Sequence, residues 1–119
     1  MKQKYIVDDI VMYKNRIHTI IDTLGLNNYE LSYVRHPVNR AELSGVPLTL
    51  EILEKNGWEF YHGFYCSPNE EGAGIRLSSQ TGYVWDAYII GHTLRSDINS
   101  VSDLQHLLFG LGLNSEMEV

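Results

Sequence analysis

Five histidines and one cysteine are the side chains most able to carry out chemistry in this 119-residue chain. The histidines are His18, His36, His62, His92 and His106. None of them follows the H-x3-H or H-E-x-x-H spacing of a zinc site. His62 and Cys66 are four residues apart, which places both on one strand face unless Gly63 breaks the register. A Cys–His nucleophile also needs an orienting third group, and no pattern supplies one. We predict no metal site and no catalytic residue, with Cys66 a buried structural cysteine.

Phosphate-binding and nucleophile motifs are also missing from the sequence. It contains no G-x-x-x-x-G-K-[ST], no G-x-G-x-x-G and no G-x-S-x-G. Gly72-Ala73-Gly74 is too short for a phosphate loop and is more typical of a flexible hairpin end. We therefore expect a non-enzymatic protein without a cofactor. An enzyme that uses Cys66 or a histidine cluster is a less favoured alternative.

Aromatic residues are unusually dense between positions 58 and 88. They are Trp58, Phe60, Tyr61, Phe64, Tyr65, Tyr83, Trp85 and Tyr88. Both faces of these strands cannot be core in a one-sheet domain, so some rings should be exposed. Exposed rings beside an arginine suit a planar anionic ligand such as a nucleotide, through stacking and guanidinium–phosphate bonds. The candidate ligand-binding residues are Trp58, Tyr61, Arg76, Trp85, Tyr88 and Arg95. Core packing and a dimer interface are the alternatives.

Composition predicts one soluble domain, residues 1–119. Apolar residues make up 44% and charged residues 20% of the chain, a balance that argues against disorder. A single cysteine excludes an intrachain disulfide, and no apolar run is long enough to span a membrane. The first residues lack the apolar segment of a signal peptide. We expect a cytoplasmic location and no membrane association.

The net charge of −6 disfavours binding to duplex nucleic acid, because neutralising phosphates supplies most of that affinity. Residues 1–40 carry six Lys/Arg against four Asp/Glu, whereas residues 41–119 carry three against eleven. An anionic partner is therefore more plausible on the first third. Ordinary surface variation is the preferred explanation of this asymmetry.

The first 46 residues predict a β-rich subdomain. Strands over residues 9–14 and 17–24 flank a turn at Asn15-Arg16, which is the pattern of a hairpin. A strand over residues 29–35 is ended by His36-Pro37. A short strand is expected over residues 40–46. Short strands joined by tight turns favour a small Src-homology-like β-barrel or a curled sheet.

The remainder predicts a short helix, an antiparallel meander and an amphipathic helix. Residues 47–57 form the short helix, with Thr49 as N-cap, Gly57 as its end, and Leu50 and Leu53 facing inward. Strands follow within residues 58–97, at 58–66, 75–79, 83–90 and 92–97. Ser100 caps a helix over residues 100–112 that presents a leucine stripe and packs on the meander. Residues 113–119 are a tail or an edge strand. The predicted fold class is α+β.

Two segments resemble signatures of one protein family. Residues 47–58 resemble "PLTxEILEKNGF", and residues 101–108 resemble "VHxLQHxL". The chain is similar to small uncharacterised proteins of phages, prophages and mobile elements of Bacteroides-type gut bacteria. The segment Asp9–Tyr13 is similar to that family's "GxxVxY" start, with Asp8 where a glycine is usual, which argues against a tight turn. The resemblance implies a phage context and this architecture, and no functional residue. Both signatures are interpreted as scaffolding, with Gln105 and His106 at the margin of the leucine stripe and His106 on the surface or half-buried.

These observations lead to two functional hypotheses. The first is a binding protein of a phage or mobile element, specifically a counter-defence factor that sequesters a signalling nucleotide, including a cyclic one, in the bacterial host cytoplasm. The alternative is a protein–protein interaction module that inhibits or scaffolds a host defence protein through its acidic surface. Either is compatible with a homo-oligomer. In the first hypothesis, substitution of Trp85 or Arg76 abolishes nucleotide binding and leaves the fold intact.

Overall fold

The computed structural model describes residues 5–68, 74–89 and 92–119. The chain divides into two compact units, Met1–Val46 with Ser100–Glu116, and Pro47–Asn99 with Met117–Val119. Each unit contains a five-stranded antiparallel sheet and one α-helix, which confirms the α+β class. The predicted hairpin end at Gly72-Ala73 and the last residue of the predicted strand 83–90, Ile90, lie outside the described residues.

The first unit is a curled sheet whose strand order is β4-β3-β2-β1-β5. Its elements are β1 (Ile10–Tyr13), β2 (Arg16–Leu24), β3 (Asn28–Leu31), β4 (Val38–Asn39), a 3-10 helix (Arg40–Glu42), β5 (Ser44–Gly45) and the later helix α2 (Val101–Gly110). One face of the sheet buries an apolar cluster that includes Val11, Ile20 and Leu31. Tyr29 and Leu31, alternate residues of β3, face this core as predicted, whereas Tyr33 of the same alternating pattern is exposed.

The hairpin between β1 and β2 turns one residue earlier than predicted. Lys14 and Asn15 have φ values of +48° and +62°, and Tyr13 pairs directly with Arg16. A two-residue turn with both residues left-handed matches the twist of the flanking strands, and Asn is well suited to it. The predicted turn at Asn15-Arg16 is wrong because Arg16 already belongs to β2.

A further left-handed residue, Asp8, lies in a turn just before β1. The amide of Asp9 donates to the carbonyl of Ile6 at 3.0 Å, and Asp8 has φ +76°. This is the third position of a β-turn, where a positive φ favours glycine. The departure from the family pattern argued against a tight turn here, and that expectation is wrong: the turn forms with aspartate in the strained position.

Two predicted strands of this unit are shorter in the structure. Strand β3 ends at Leu31, and Tyr33 has φ +62°, which no strand accommodates. Residues 40–46 begin with a 3-10 helix because Asn39 and Glu42 form a capping box. Only Ser44–Gly45 remains as a strand, paired with β1.

Helix α2 belongs to the first unit, whereas the sequence predicted that it packs on the meander. Ser100 caps it by accepting a hydrogen bond from the Asp103 amide, which confirms the predicted cap. The Val101 amide donates to the Val46 carbonyl at 2.8 Å. A Cβ atom on Gly45 would lie 2.7 Å from Ser100 Cβ, so glycine is required where β5 meets the helix. Of the stripe, Val101, Leu104 and Leu108 are buried.

The second unit is a meander with strand order β10-β9-β8-β7-β6 and a short helix. Its elements are α1 (Leu50–Lys55), β6 (Glu59–Tyr61), β7 (Phe64–Cys66), β8 (Arg76–Ser78), β9 (Trp85–Ile89) and β10 (His92–Ile98). Thr49 accepts a hydrogen bond from the Ile52 amide and Gly57 has φ +86°, which confirms both predicted ends of α1. Leu53 is buried as predicted, whereas Leu50 is 40% exposed.

The aromatic segment 58–66 is a hairpin and not one bent strand. His62 and Gly63 have φ values of +49° and +85°, and Tyr61 pairs with Phe64 across the turn. The predicted register break at Gly63 is therefore a full chain reversal. The predicted strand 83–90 begins at Trp85, because the Ser79 hydroxyl accepts from the Gly82 amide and donates to the Val84 carbonyl in the preceding loop.

Residues 113–119 contain no strand, so they form a tail and not the edge strand that the sequence also allowed. Asn56 anchors this tail: its side chain accepts from the Glu118 amide at 2.8 Å and donates to the Glu118 carbonyl at 2.7 Å. Met117–Val119 therefore belong to the second unit.

Candidate functional site

The outer face of the second sheet carries a row of chemically distinct side chains across four strands. Glu59 pairs with Cys66, Cys66 with Arg76, and Arg76 with Tyr88. Directly paired residues project to the same side of a sheet, so these four side chains share one face. Tyr61 and Phe64 form an adjacent pair on that face, two positions along β6 and β7. We call these six residues the outer-face row.

Arg76 is the cation of the outer-face row, and aromatic rings surround it. Its guanidinium carbon lies 6.0 Å from the Phe64 ring centroid, and the Phe64 and Tyr88 rings meet edge to face at 5.9 Å. A guanidinium over a ring is weakly attracted and keeps its N–H groups directed outward. Within the part of the chain that the structure describes, Arg76 has no carboxylate or other hydrogen-bond partner. The side chain is exposed and its donors are available to an anion.

An open groove of about 570 Å³ lies beside Arg76. It is lined by Gly57, Glu59, Phe60, Tyr61, Cys66, Ser67, Pro68 and Arg76. Glu59 and Arg76 are exposed, and Cys66 between them is half-buried at the groove and not fully buried as predicted. Tyr61 is 63% exposed and contributes one ring at the side. The volume is within the range of small-molecule sites, roughly 300–1,000 Å³.

The inner face of the same sheet holds the two tryptophans. Trp58 and Trp85 are 4% and 3% exposed, and the Trp85 Nε1 donates to the Leu48 carbonyl at 2.9 Å. Tyr65 packs edge to face on Trp85 at 5.7 Å. Burial, together with the neighbouring Glu54 carboxylate, raises the pKa of Tyr65. Trp58 and Trp85 are thus core residues, so Trp85 cannot be truncated with the fold intact.

The predicted site residues therefore separate into three groups. Tyr61, Arg76 and Tyr88 lie together on the outer face, and the two tryptophans lie in the core. Arg95 pairs with Ala87 between two register shifts, so the register does not align it with the Arg76 row. Only three of the six predicted ligand-binding residues therefore lie together on the outer face.

Three residues of this face were missed by sequence reasoning: Glu59, Phe64 and Cys66. Their alternation is visible in the sequence only if His62-Gly63 is recognised as a two-residue turn. That turn places Tyr61 and Phe64 opposite each other and aligns Glu59 with Cys66.

A buried polar cluster in the first unit also contains groups capable of chemistry. Asp9 is 1% exposed, and its Oδ2 accepts from the Ile6 amide at 2.9 Å and lies 2.5 Å from His106 Nε2. The Gln105 side chain accepts from the Ile10 amide and donates to the Asp8 and Ser115 carbonyls. Burial first, then the Asp9 and Asp103 carboxylates, raises the pKa of the nearby Tyr5. These bonds tie helix α2 to the start of β1.

The position of Gln105 differs from its prediction. It is 3% exposed and not at a margin, whereas His106 is half-buried as expected. The two polar residues of the second signature are therefore the ones that bond to β1 and the turn before it. This agrees with a scaffolding interpretation of the signature.

Comparisons of the chain with protein-family models, with curated proteins and with solved structures give no match. Across residues 5–68, 74–89 and 92–119, no three His, Cys, Asp or Glu side chains are grouped to hold a metal ion. Over the same residues, neither helix has the length and apolar character needed to cross a membrane.

Proposed function

We propose that this protein is a non-enzymatic binding protein whose outer-face row holds a nucleotide. The observation that carries the proposal is Arg76, an exposed arginine without a carboxylate partner in the described residues, placed over Phe64 beside an open groove. Arginine recognises phosphate through two parallel hydrogen bonds. The adjacent Tyr61 ring offers a stacking surface for a base.

The acidic balance of residues 41–119 does not oppose this assignment. Charges on the surface are screened over about 8 Å at physiological ionic strength, so the neighbours within that distance dominate. Among the described residues, the ring beside Arg76 is Phe64 and its register partners are Cys66 and Tyr88, and none of these three is acidic. Local donors outweigh a weak long-range repulsion once a phosphate is in contact.

The biological role we propose is counter-defence. The resemblance to phage and mobile-element proteins and the absence of a catalytic motif in the sequence support a protein that acts by sequestration in the host cytoplasm. A signalling nucleotide, including a cyclic di- or trinucleotide, would be withdrawn from its receptor by binding here.

Thermal unfolding with a nucleotide panel tests the proposal. The panel contains cyclic di- and trinucleotides, NAD-derived nucleotides and mononucleotides. A ligand at about 100 times its dissociation constant adds roughly 2.7 kcal/mol to the stability of the native state. We expect a stabilising shift with at least one member, and a loss of about tenfold or more in affinity in Arg76→Ala. Arg16→Ala, at an exposed arginine of β2, is the matched control.

The outcomes separate the two functional hypotheses. No shift with any nucleotide, or an unchanged affinity in Arg76→Ala, contradicts nucleotide sequestration. Recovery of one host protein on the wild-type chain, lost with acidic-to-neutral substitutions and not with Arg76→Ala, would favour the interaction module instead.

A further inference from the structure

The outer-face row carries opposite charges at its two ends. Glu59 and Arg76 both pair with Cys66, from opposite sides, so two strand spacings separate them, about 10 Å between their backbones. Both side chains are exposed and both line the groove, with the half-buried thiol of Cys66 between them. A ligand that fills the groove therefore meets a cation at one end and a carboxylate at the other.

We propose that Glu59 selects guanine nucleotides over adenine nucleotides. This inference depends on the proposed function, since it takes Arg76 as the phosphate site. The Glu59 carboxylate repels phosphate and accepts hydrogen bonds only. It therefore orients the ligand with its phosphate on Arg76 and its donor-bearing end on Glu59.

Two parts of a nucleotide could donate to a carboxylate, the ribose hydroxyls and the base edge. The ribose lies between the phosphate and the base, whereas the Watson–Crick edge is the end remote from the phosphate. Glu59 is separated from Arg76 by a whole intervening strand, so the remote edge is the part that reaches it. Tyr61, on the same face two residues from Glu59, flanks the base with its ring.

Guanine is the base whose edge matches a carboxylate. It presents two adjacent donors, N1–H and the N2 amine, to the two oxygens of Glu59. Adenine presents one donor, its N6 amine, beside an acceptor at N1 that is repelled by the second carboxylate oxygen. A well-formed bidentate pair discriminates between bases by about 1–3 kcal/mol, which is roughly 5- to 150-fold in affinity.

Titration calorimetry with matched base pairs of ligands tests this assignment. The probes are GMP, IMP and AMP, and cyclic di-GMP with cyclic di-AMP. We expect the guanine member to bind at least about tenfold more tightly than the adenine member, with IMP between GMP and AMP because it lacks the N2 amine. Glu59→Gln should reduce the guanine preference to within about threefold, and Glu51→Gln, an acid on α1 outside the groove, should keep it.

The failure modes are distinct. Equal affinity for both bases, or a guanine preference that persists in Glu59→Gln, overturns the inference and leaves the Arg76 phosphate site standing. Failure of every probe to bind overturns this inference, and failure of the wider nucleotide panel as well overturns the Arg76 phosphate site. Circular dichroism of Glu59→Gln should match the wild type, since the residue it replaces is exposed.

Discussion

The polar residues of the two units differ in what they bind. In the first unit, Asp9 and Gln105 are buried, and their hydrogen bonds go to backbone groups and to His106. In the second unit, Arg76 and Glu59 are exposed, and no described residue forms a hydrogen bond with either side chain. The first arrangement satisfies groups that burial would otherwise leave unpaired. The second leaves donors and acceptors on the surface for a ligand.

The comparison shows why chemically reactive residue types are poor guides by themselves. An Asp–His pair is the more familiar catalytic combination, yet here it joins a helix to the segment before a strand. Substitution of the buried polar residues of the first unit should lower stability, whereas substitution of the exposed ones of the second unit should change binding. The following variants test this distinction.

The largest effect is expected at Gln105. Gln105→Ala leaves the Ile10 amide without its acceptor and removes buried atoms, which should cost about 2–3 kcal/mol in unfolding free energy. Gln105→Met keeps the volume and loses the bonds, so it should retain at least half of that cost. Arg76→Ala is the comparison in the second unit and should change stability by less than about 0.5 kcal/mol. Chemical denaturation measures all three, and a Met variant as stable as the wild type would contradict a role for these hydrogen bonds.

A smaller effect is expected from the Asp9–His106 pair. A double-mutant cycle with Asp9→Asn and His106→Gln should give a coupling of about 1–2 kcal/mol, because a buried carboxylate loses a hydrogen-bond partner. The cycle cancels the loss of the separate Ile6 amide bond to Asp9. Additive single and double variants would show that the two side chains do not stabilise each other.

Opposite effects of about 0.5–1 kcal/mol are expected at two left-handed residues. Asp8→Gly in the first unit should raise the stability, because glycine adopts φ +76° without strain. Gly63→Ala in the second unit should lower it, since alanine would be forced to φ +85° although nothing obstructs its Cβ. Thermal unfolding of each variant measures the sign, and a destabilised Asp8→Gly would show that the aspartate side chain contributes more than the strain costs.

The smallest effect is a pH dependence at alkaline values. The pKa of Tyr65 is raised above its ordinary value of 10.0 by burial and by Glu54, so the folded state retains a proton that the unfolded state releases. This contribution to stability is complete below pH 10 and decreases as the pH rises above it. Tyr65→Phe should therefore lose less stability between pH 9 and 11 than the wild type, measured by denaturation across that range. Equal losses would assign the alkaline destabilisation to other groups.

Much of the local structure follows from the sequence because its causes are local. Thr49 and Ser100 cap their helices, Gly57 ends α1, and strands β1 and β3 form within the predicted β-rich segments or one residue before them. The hairpins at Lys14-Asn15 and His62-Gly63 were misplaced or missed, since the left-handed pairs at their centres contain three residues other than glycine. Because the turn at His62-Gly63 was not recognised, the alignment of Glu59, Cys66 and Arg76 was not predicted.

The sequence by itself determined the α+β composition, the helix ends and the presence of more aromatic rings than one core face can hold. Only the tertiary structure decided that α2 joins the first sheet, where Gln105 bonds to an amide 95 residues earlier in the chain. It also decided which rings are core, placing both tryptophans inside and Tyr61 outside. Caps and turns depend on neighbours a few residues away in the sequence. Burial depends on which distant strand or helix packs against a face, and the periodicity of a segment does not indicate that partner.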